Sequence, residues 1–203
     1  MNMEIFNCDQ GGPEWFQAKI GVPSSSNFSK IMAKGKGLTR KSYVNQLAGE
    51  IITGKIEPSY SNADMKRGTE LEPFARAEYE FITGNDVEQI GFAKDKGAGC
   101  SPDGLIGSDG GLEIKSPRAS TQIETVKLGV IPTEHRPQMQ GCMMVTGRKW
   151  WDFCSYCPDI SDEYQYIFIK RMARDELYIK ELRHEINLFL MDLKETIKIM
   201  EVK

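Results

Sequence analysis

The spacing of apolar and polar positions predicts helices at both ends of the chain. Apolar residues recur there every three or four positions, which is the spacing of one face of an α-helix. The helices predicted in this way cover residues 13–20, 27–32, 40–53, 62–82, 120–127, 137–146 and 175–202. In the helix over 40–53, the predicted buried stripe consists of Tyr43, Leu47, Ile51 and Ile52. In the helix over 137–146, Met139, Cys142, Met143 and Met144 are expected to pack in the core.

The middle of the chain has a different pattern, in which runs of β-branched and aromatic residues lie between turn residues. Such runs predict strands. The predicted strands cover residues 87–93, 99–106, a segment around Glu113, 149–157 and 164–170. In the fourth strand, Trp150, Trp151 and Phe153 are expected to pack in the core. Helices on both sides of a central mixed β-sheet predict an α/β (α+β) fold.

Composition and charge are those of an ordinary globular protein. The 203 residues, 40% of them hydrophobic and 27% charged, are enough for one sizeable domain, which we expect to span residues 1–203. A net charge of −3 excludes a uniformly basic surface but allows a local basic groove. No apolar run has the length of a membrane span, and Met1–Gln10 has no apolar core like that of a signal peptide. We therefore expect a cytoplasmic protein.

The five cysteines are expected to be reduced, because their number is odd and no secretory signal accompanies them. Cys154 and Cys157 have the spacing of a redox or zinc motif. A zinc site needs a second pair of ligands, but the chain has only two histidines. A redox motif is expected at the start of a helix rather than in a strand. Structural thiols are the favoured interpretation, and a redox role stays open.

The segment from Ser101 to Lys115 is the strongest candidate for chemistry. The turn residues 107–111 predict a hairpin that brings Asp103 close to Glu113. Because side chains alternate along a strand, Glu113 and Lys115 point to one face of the sheet. Two carboxylates suit Mg²⁺, which takes few protein ligands and keeps several waters. A solvated, charged hairpin remains the alternative from spacing alone.

Asp103 followed by Glu113-Ile114-Lys115 resembles the bipartite motif of the PD-(D/E)XK nuclease superfamily. Other segments, in the same order, are similar to its phage lambda exonuclease-like (YqaJ-type) branch. These segments are Trp15–Ser26, Arg67–Glu72, Cys100–Gly104, Glu113–Pro117 and Pro137–Thr146. Together they span roughly residues 12 to 157, and an ordered set of motifs is more specific than any one of them.

The resemblance implies a restriction-endonuclease-like core and an exonuclease that depends on Mg²⁺, with Mn²⁺ as a substitute. The implied substrate is the end of double-stranded DNA, degraded from 5′ to 3′ to leave a 3′ single strand. The resemblance also implies a ring-shaped homotrimer, a single-strand annealing protein as partner in phage-type recombination, and a bacterial host cytosol. A PD-(D/E)XK endonuclease of restriction or repair type and a catalytically silent module that binds DNA ends stay open as alternatives.

The resemblance also implies roles for particular residues. Asp103, Glu113 and the carbonyl oxygen of Ile114 are the expected metal ligands, and Lys115 is expected to position or deprotonate the attacking water. Glu72 is expected to be a further catalytic acid.

Two of these assignments have competing residues close by. Glu70 is the alternative to Glu72 as the further acid. Gln138 is expected to line the active site, with Gln140 as its alternative.

Lys19, Ser26 and Ser101 are expected to form a pocket for the terminal 5′-phosphate of DNA. The family pattern has arginine where this chain has Lys19. Arginine is the better bidentate clamp for phosphate, whereas lysine binds as a point charge. The resemblance therefore leaves the strength of the 5′-phosphate preference open.

A basic loop is the best candidate for contact with the DNA backbone. Lys34 and Lys36, followed by Arg40 and Lys41, are expected to bind phosphates without sequence preference. A solvated charge run is the alternative for this loop.

Overall fold

The computed structural model describes residues 3–33, 37–56 and 62–202 of the chain. The helices are α1 (Pro13–Lys19), α2 (Phe28–Met32), α3 (Leu38–Thr53), α4 (Ala63–Thr83), α5 (Ala119–Leu128), α6 (Arg136–Thr146) and α7 (Glu176–Ile199). The strands are β1 (Glu4–Phe6), β2 (Val87–Glu88), β3 (Phe92–Asp95), β4 (Ala98–Cys100), β5 (Gly104–Ile106), β6 (Gly110–Lys115), β7 (Trp150–Tyr156) and β8 (Ile167–Ala173). Short 3-10 turns, Ser25–Asn27 and Thr133–His135, precede α2 and α6.

The larger of two sheets is mixed, as the sequence predicts. Its strand order is β2-β5-β6-β7-β8. The central strands β6 and β7 are parallel, and the remaining pairs are antiparallel. The smaller sheet has the order β1-β3-β4 and is antiparallel. Helices and a mixed sheet together confirm the α/β (α+β) fold class.

Two of the predicted strands are wrong in extent, because each is divided between the two sheets. Residues 87–93 form β2 in the larger sheet and β3 in the smaller one, and residues 99–106 form β4 and β5. Between β4 and β5 lies Pro102, which has no N–H to donate to a ladder. The side-chain amide of Gln10 donates hydrogen bonds to the carbonyls of Ile90 and Pro102, at 3.2 and 3.0 Å. It therefore links the two points at which the predicted strands divide. The sequence also did not predict β1.

The two longest helices begin and end where capping residues stand. The side chain of Asn62 accepts a hydrogen bond from Met65 N at 2.8 Å, and Asp175 accepts one from Tyr178 N at 3.0 Å. At its other end α4 stops at Gly84, which has φ of 69°. Such polar N-caps and left-handed glycines are readable signals in a sequence. They explain why the predicted bounds of α4 and the predicted start of α7 are close to the observed ones.

Hydrophobic packing covers both faces of the larger sheet. The main cluster joins residues of α2, α3, α6 and α7 to the sheet and includes Trp151 and Phe153, which are buried as predicted. The second cluster packs α4 against the other face, where Leu112 and Ile114 of β6 meet Tyr79. Strand β6 is therefore fixed from both sides, and it positions the residues at its end.

The predicted stripe of α3 is right for two residues and wrong for two. Tyr43 and Leu47 are buried, but Ile51 and Ile52 are 41% and 51% exposed. In this last turn Glu50 is buried instead, because its carboxylate accepts a hydrogen bond from Gly21 N at 3.1 Å. A polar contact thus fixes the orientation of the helix end, which an apolar pattern does not reveal.

Other sequence expectations concern α6 and the cysteines. Met139, Cys142, Met143 and Met144 are buried, as predicted for the inner face of α6. The cysteines are free thiols, and both Cys154 and Cys157 are buried. Among the helices of the described residues, none combines the length and apolarity needed to cross a bilayer.

Candidate active site

The β5–β6 hairpin sets Asp103 opposite Glu113. Gly104 pairs with Leu112 in this hairpin, and the same register continued by one position pairs Asp103 with Glu113. The Asp103 carboxylate accepts a hydrogen bond from the backbone N–H of Ile114 at 2.6 Å. The predicted hairpin is therefore confirmed, and its open end holds the two carboxylates.

Glu113 is fully buried, and only one of its two carboxylate oxygens has a partner among the described residues. Oε1 forms an ion pair with the ammonium of Lys115. Oε2 is buried without a hydrogen-bond partner in the described part of the chain. A buried oxygen left in this way is costly, which is why native proteins pair such groups. A cation bound at Oε2 would remove that cost.

Burial and mutual repulsion set the charges of the carboxylate pair. Burial raises the pKa of Asp103, while the Lys115 ammonium opposes the shift. Burial also raises the pKa of Glu113 to about 7, with Lys115 opposing and Asp103 adding to the shift. For Lys115, burial lowers the pKa, but Glu113 and Asp103 outweigh burial and raise it. Lys115 is consequently a cation at neutral pH.

Glu72 on α4 lies within electrostatic reach of this pair. Burial raises its pKa, Asp103 adds to the shift, and Arg76 and Lys115 oppose it. Glu72 is half-buried and forms an ion pair with Arg76, whereas Glu70 is exposed. The structure therefore brings Glu72, and not Glu70, to the carboxylates.

Gln138 and Gln140 are in different surroundings on α6. Gln140 is buried, donates to the carbonyl of Ala173 at 2.9 Å and accepts from Asp175 N at 3.0 Å. Its amide is thus used to hold α6 to the β8–α7 connection. Gln138 is half-buried in the first turn of α6, and its amide makes no hydrogen bond with the described residues. Of these two glutamines, Gln138 is the one whose amide is free of hydrogen bonds within the described residues.

Two residues that interact with Glu72 or Lys115 were not singled out by the sequence. Arg76 follows Glu72 by four positions on α4, a helical spacing that could have indicated the pair. His135 stacks on Phe153 with ring centroids 5.2 Å apart. Burial, and then the charge of Lys115, lower the pKa of His135 to about 4, so the ring is neutral. No sequence signal marks this histidine.

Trp15 joins two of the residues predicted to bind the 5′-phosphate. The Lys19 ammonium lies 3.5 Å from the centroid of the Trp15 ring, and Trp15 Nε1 donates to Ser101 Oγ at 2.8 Å. Burial lowers the pKa of Lys19 to about 8, against the opposing charge of Glu50. The partly desolvated ammonium of Lys19 and the hydroxyl of Ser101 thus both contact the indole of Trp15.

Ser26, the third residue predicted to bind the phosphate, lies on another segment. It is exposed in the 3-10 turn, with Oγ 3.4 Å from Ser24 Oγ. Ser24 in turn forms a parallel bridge with Gly99 of β4, the strand that precedes Ser101.

The predicted basic loop is only partly described. Lys34 and Lys36 lie outside the described residues. Arg40 forms an ion pair with Asp192 and packs over Phe189, 5.4 Å from the ring centroid. These contacts hold α3 to α7 and engage the Arg40 guanidinium within the protein. Lys41 is exposed.

The donor set fits a hard cation that keeps water ligands. The described residues contain no group of three or more His, Cys, Asp or Glu side chains arranged to hold a metal. What they offer is two carboxylates, one with an unpartnered oxygen, beside the backbone of Ile114. Mg²⁺ is bound in this manner, by one or two carboxylates with waters and substrate phosphates completing the shell.

A cleft of about 760 Å³ lies next to α4. Glu72 and Arg76 form one wall, and Gln10, Trp15 and Gln89 are among the other lining residues. The cleft therefore runs between Glu72 on α4 and Trp15, which contacts Lys19 and Ser101.

Comparisons with known proteins give matches over most of the chain. The family model of the YqaJ-like viral recombinase domain matches residues 14–149. The crystal structure of an alkaline exonuclease from Laribacter hongkongensis is 40% identical over 93% of this chain and 96% of that chain, with a TM-score of 0.86. The same enzyme in complex with dAMP gives the same values.

A phage-related exonuclease from Haemophilus somnus 129PT shares the fold. It is 16% identical over 89% of this chain and 96% of that chain, with a TM-score of 0.69. No curated protein sequence matches the chain.

Proposed function

Because the chain belongs to the YqaJ-like viral recombinase domain family, we propose that it is a Mg²⁺-dependent exonuclease that digests one strand of linear duplex DNA from 5′ to 3′. The chain is a nuclease acting on DNA, as its family and its alkaline exonuclease neighbour indicate. Dependence on Mg²⁺, strand polarity and the annealing partner are the proposed refinements.

The unpartnered Oε2 of buried Glu113 is the observation that carries the metal proposal. Glu113 has Asp103 and Lys115 as neighbours, so a divalent cation would meet two carboxylates and one fixed ammonium. Mg²⁺ in this place would polarise the scissile phosphate and lower the pKa of the attacking water. Asp103, Glu113 and the carbonyl of Ile114 are the residues proposed to hold it, and Mn²⁺ is expected to substitute.

The side chains around this site have separable tasks in the proposed reaction. Lys115 stays protonated beside Glu113, so it orients the attacking water and offsets negative charge on the phosphate. Glu72 provides a further acceptor for a water proton. Gln138, whose amide has no partner among the described residues, is available to hydrogen-bond the scissile nucleotide.

We assign the 5′-terminal phosphate to the pocket of Lys19, Ser26 and Ser101. The ammonium and the hydroxyls are donors suited to a dianion, and Trp15 holds Lys19 and Ser101 together. The alkaline exonuclease neighbour has been crystallised with dAMP, a molecule with a 5′-phosphate. Lys34 and Lys36 are proposed to contact the DNA backbone further along.

The remaining proposals concern the assembly of the chain and its partner protein. We propose that the chain acts as a homotrimer ring around DNA and that its 3′ single-stranded product is passed to a single-strand annealing protein in recombination of the phage type. Exposed aromatic residues on α4, Phe74 and Phe81, are 64% and 85% exposed, and burial of such side chains in an assembly is favourable.

Digestion of a linear duplex with one labelled end tests the proposal directly. Separate substrates carry the label at the 5′ or the 3′ end, with a 5′-phosphate or a 5′-hydroxyl, in Mg²⁺ or in EDTA. We expect early release of the 5′ label, only in Mg²⁺ and faster with the phosphate. Early release of the 3′ label would overturn the polarity, and cutting of covalently closed circular DNA would favour an endonuclease.

Replacing Asp103 or Lys115 by alanine tests the site. Each substitution is expected to lower kcat by at least about 10²-fold, because each removes a charge placed for the transition state. Affinity for duplex ends in EDTA, measured by fluorescence anisotropy, should stay close to that of the wild type. Lys149→Ala is the control, since Lys149 forms a surface ion pair with Asp109 on the same hairpin. Wild-type digestion by either site variant would contradict the assignment.

A further inference from the structure

The guanidinium of Arg76 contacts three separate parts of the chain. It forms an ion pair with Glu72, one turn earlier on α4, and its Nε donates to the carbonyl of Asp103 at 3.2 Å. The side-chain oxygen of Gln89, with its amide turned toward the arginine, accepts from both terminal nitrogens at 3.1 Å. Arg76 is only 8% exposed. Its planar fork thus bridges α4, the turn before β5 and the β2–β3 connection.

This ion pair differs from the ordinary pairs found one turn apart on a helix. An exposed pair of that kind contributes little to stability and works equally well with lysine. The Arg76–Glu72 pair is largely buried and uses the geometry of the guanidinium, which a single ammonium does not reproduce. The Arg76 guanidinium also contacts the backbone of Asp103, which is a proposed metal ligand and not another surface group.

The Glu72 side chain is repelled from the site and has open space beside it. Asp103 repels it, since the two carboxylates interact electrostatically. The cleft of about 760 Å³, which both Glu72 and Arg76 line, lies on its open side. Without a partner, the flexible glutamate would lower its energy by turning into solvent in the cleft. Lys115 and Arg76 both act electrostatically on Glu72 and Asp103, but Arg76 is the cation that forms an ion pair with Glu72 and also bonds the backbone of Asp103.

We propose that Arg76 is a positioning residue that holds the Glu72 carboxylate in the active site by tying α4 to the Asp103 turn. The inference rests on the nuclease function proposed above. Arg76 is not a catalytic residue, because its contacts are with Glu72, Asp103 and Gln89. Its effect on the reaction passes through Glu72.

A double-mutant cycle tests this route of action. Arg76→Met should lower kcat about 10- to 100-fold, the usual effect of losing a residue that orients a catalytic group, with little change in KM. In the Glu72→Gln background the same substitution should change kcat less than about twofold, because there is no carboxylate left to hold. Equal losses in both backgrounds would overturn the inference.

Arg183→Met is the matched control for a general loss of stability. Arg183 also bonds a carboxylate and a carbonyl, both of Asp95, but it does so between α7 and the end of β3. Arg183→Met should therefore lower the Tm without lowering kcat in the remaining folded enzyme. Arg76→Lys provides a second variant that keeps the buried charge, and its kcat should also fall. A folded Arg76→Lys variant with wild-type kcat would contradict the proposal.

A crystal structure of Arg76→Met gives a readout that does not depend on activity. We expect the Glu72 side chain to leave Asp103 and to extend into the cleft, with α4 otherwise unchanged. An unmoved Glu72 carboxylate would overturn the inference, even if the variant digests DNA slowly. Wild-type protein that fails to digest any linear duplex would instead refute the proposed function, and the crystal structure would still decide the role of Arg76.

Discussion

Glu72, Asp103 and Glu113 all have a pKa raised by burial. Each carboxylate is thus harder to ionise in the folded chain than in water, and ionising them together adds repulsion. A bound divalent cation would offset this cost while the carboxylates stay charged. At the residue scale, the three carboxyls therefore lower the stability of the folded chain, and a bound cation would reduce that cost.

The pH dependence of stability should reveal this cost. A carboxyl whose pKa is higher in the folded state contributes stability at low pH, and the contribution is lost as pH rises through the folded pKa. For Glu113 the loss is expected between the ordinary value of 4.5 and about 7. In EDTA, the Tm of Glu113→Gln should therefore rise relative to wild type as pH increases across this window. A difference in Tm between the two proteins that stays constant with pH would contradict the prediction. Saturating Mg²⁺ should raise the Tm of the wild type but not that of Glu113→Gln.

Lys19 should make the 5′-phosphate preference depend on pH. Burial lowers its pKa to about 8, so the ammonium that meets the phosphate is lost as pH rises through that value. The ratio of kcat/KM for 5′-phosphate and 5′-hydroxyl ends should fall above that pH in the wild type, since kcat/KM reports the free enzyme. Lys19→Arg should keep the ratio high, because arginine stays charged. A wild-type ratio that does not change up to about pH 9.5 would exclude Lys19 as the clamp.

At the scale of elements, the start of β6 has little room for larger side chains. Its first two residues are glycines that lie under the indoles of β7: a Cβ on Gly110 would come within 2.1 Å of Trp150, and a Cβ on Gly111 within 2.3 Å of Trp151. Trp151 is fully buried and has no space to retreat. The parallel β6–β7 pair therefore depends on these glycines, and the pair sets the position of Glu113.

Gly111→Ala should destabilise the protein by about 1–3 kcal/mol, because overpacking displaces a buried ring. Urea denaturation measures the change in the free energy of unfolding. Gly68→Ala is the control, since a Cβ on Gly68 in α4 meets no atom within 4 Å. That substitution should be neutral or stabilising by up to about 1 kcal/mol. Similar losses for both variants would show that Trp151 is not the cause.

At the scale of the whole molecule, the proposed ring makes a prediction about mass. Light scattering or sedimentation should give three times the chain mass of 22.9 kDa, independent of dilution in the working range of the assay. A monomer mass in an enzyme that digests linear duplex DNA would contradict the ring.

The same preparation should show DNA affinity that decreases with salt, because phosphate contacts release counterions.

The sequence by itself predicted the helices and the hairpin that sets Asp103 near Glu113. Apolar periodicity and capping residues gave the helices, and turn residues between Asp103 and Glu113 gave the hairpin, because both signals are local in the chain. Expected roles for Lys19, Glu72 and Gln138 came from resemblance, since no local rule relates residues so far apart.

The tertiary structure alone decided the rest. It split two predicted strands between two sheets, because Gly91 packs against Cys8 and Pro102 cannot donate to a ladder. It placed Glu72 near the buried carboxylates while Glu70 is exposed, and it engaged the Gln140 amide in hydrogen bonds within the protein. It also revealed Arg76 between Glu72 and Asp103. These outcomes depend on contacts between residues distant in sequence, and such contacts exist only once the chain has folded.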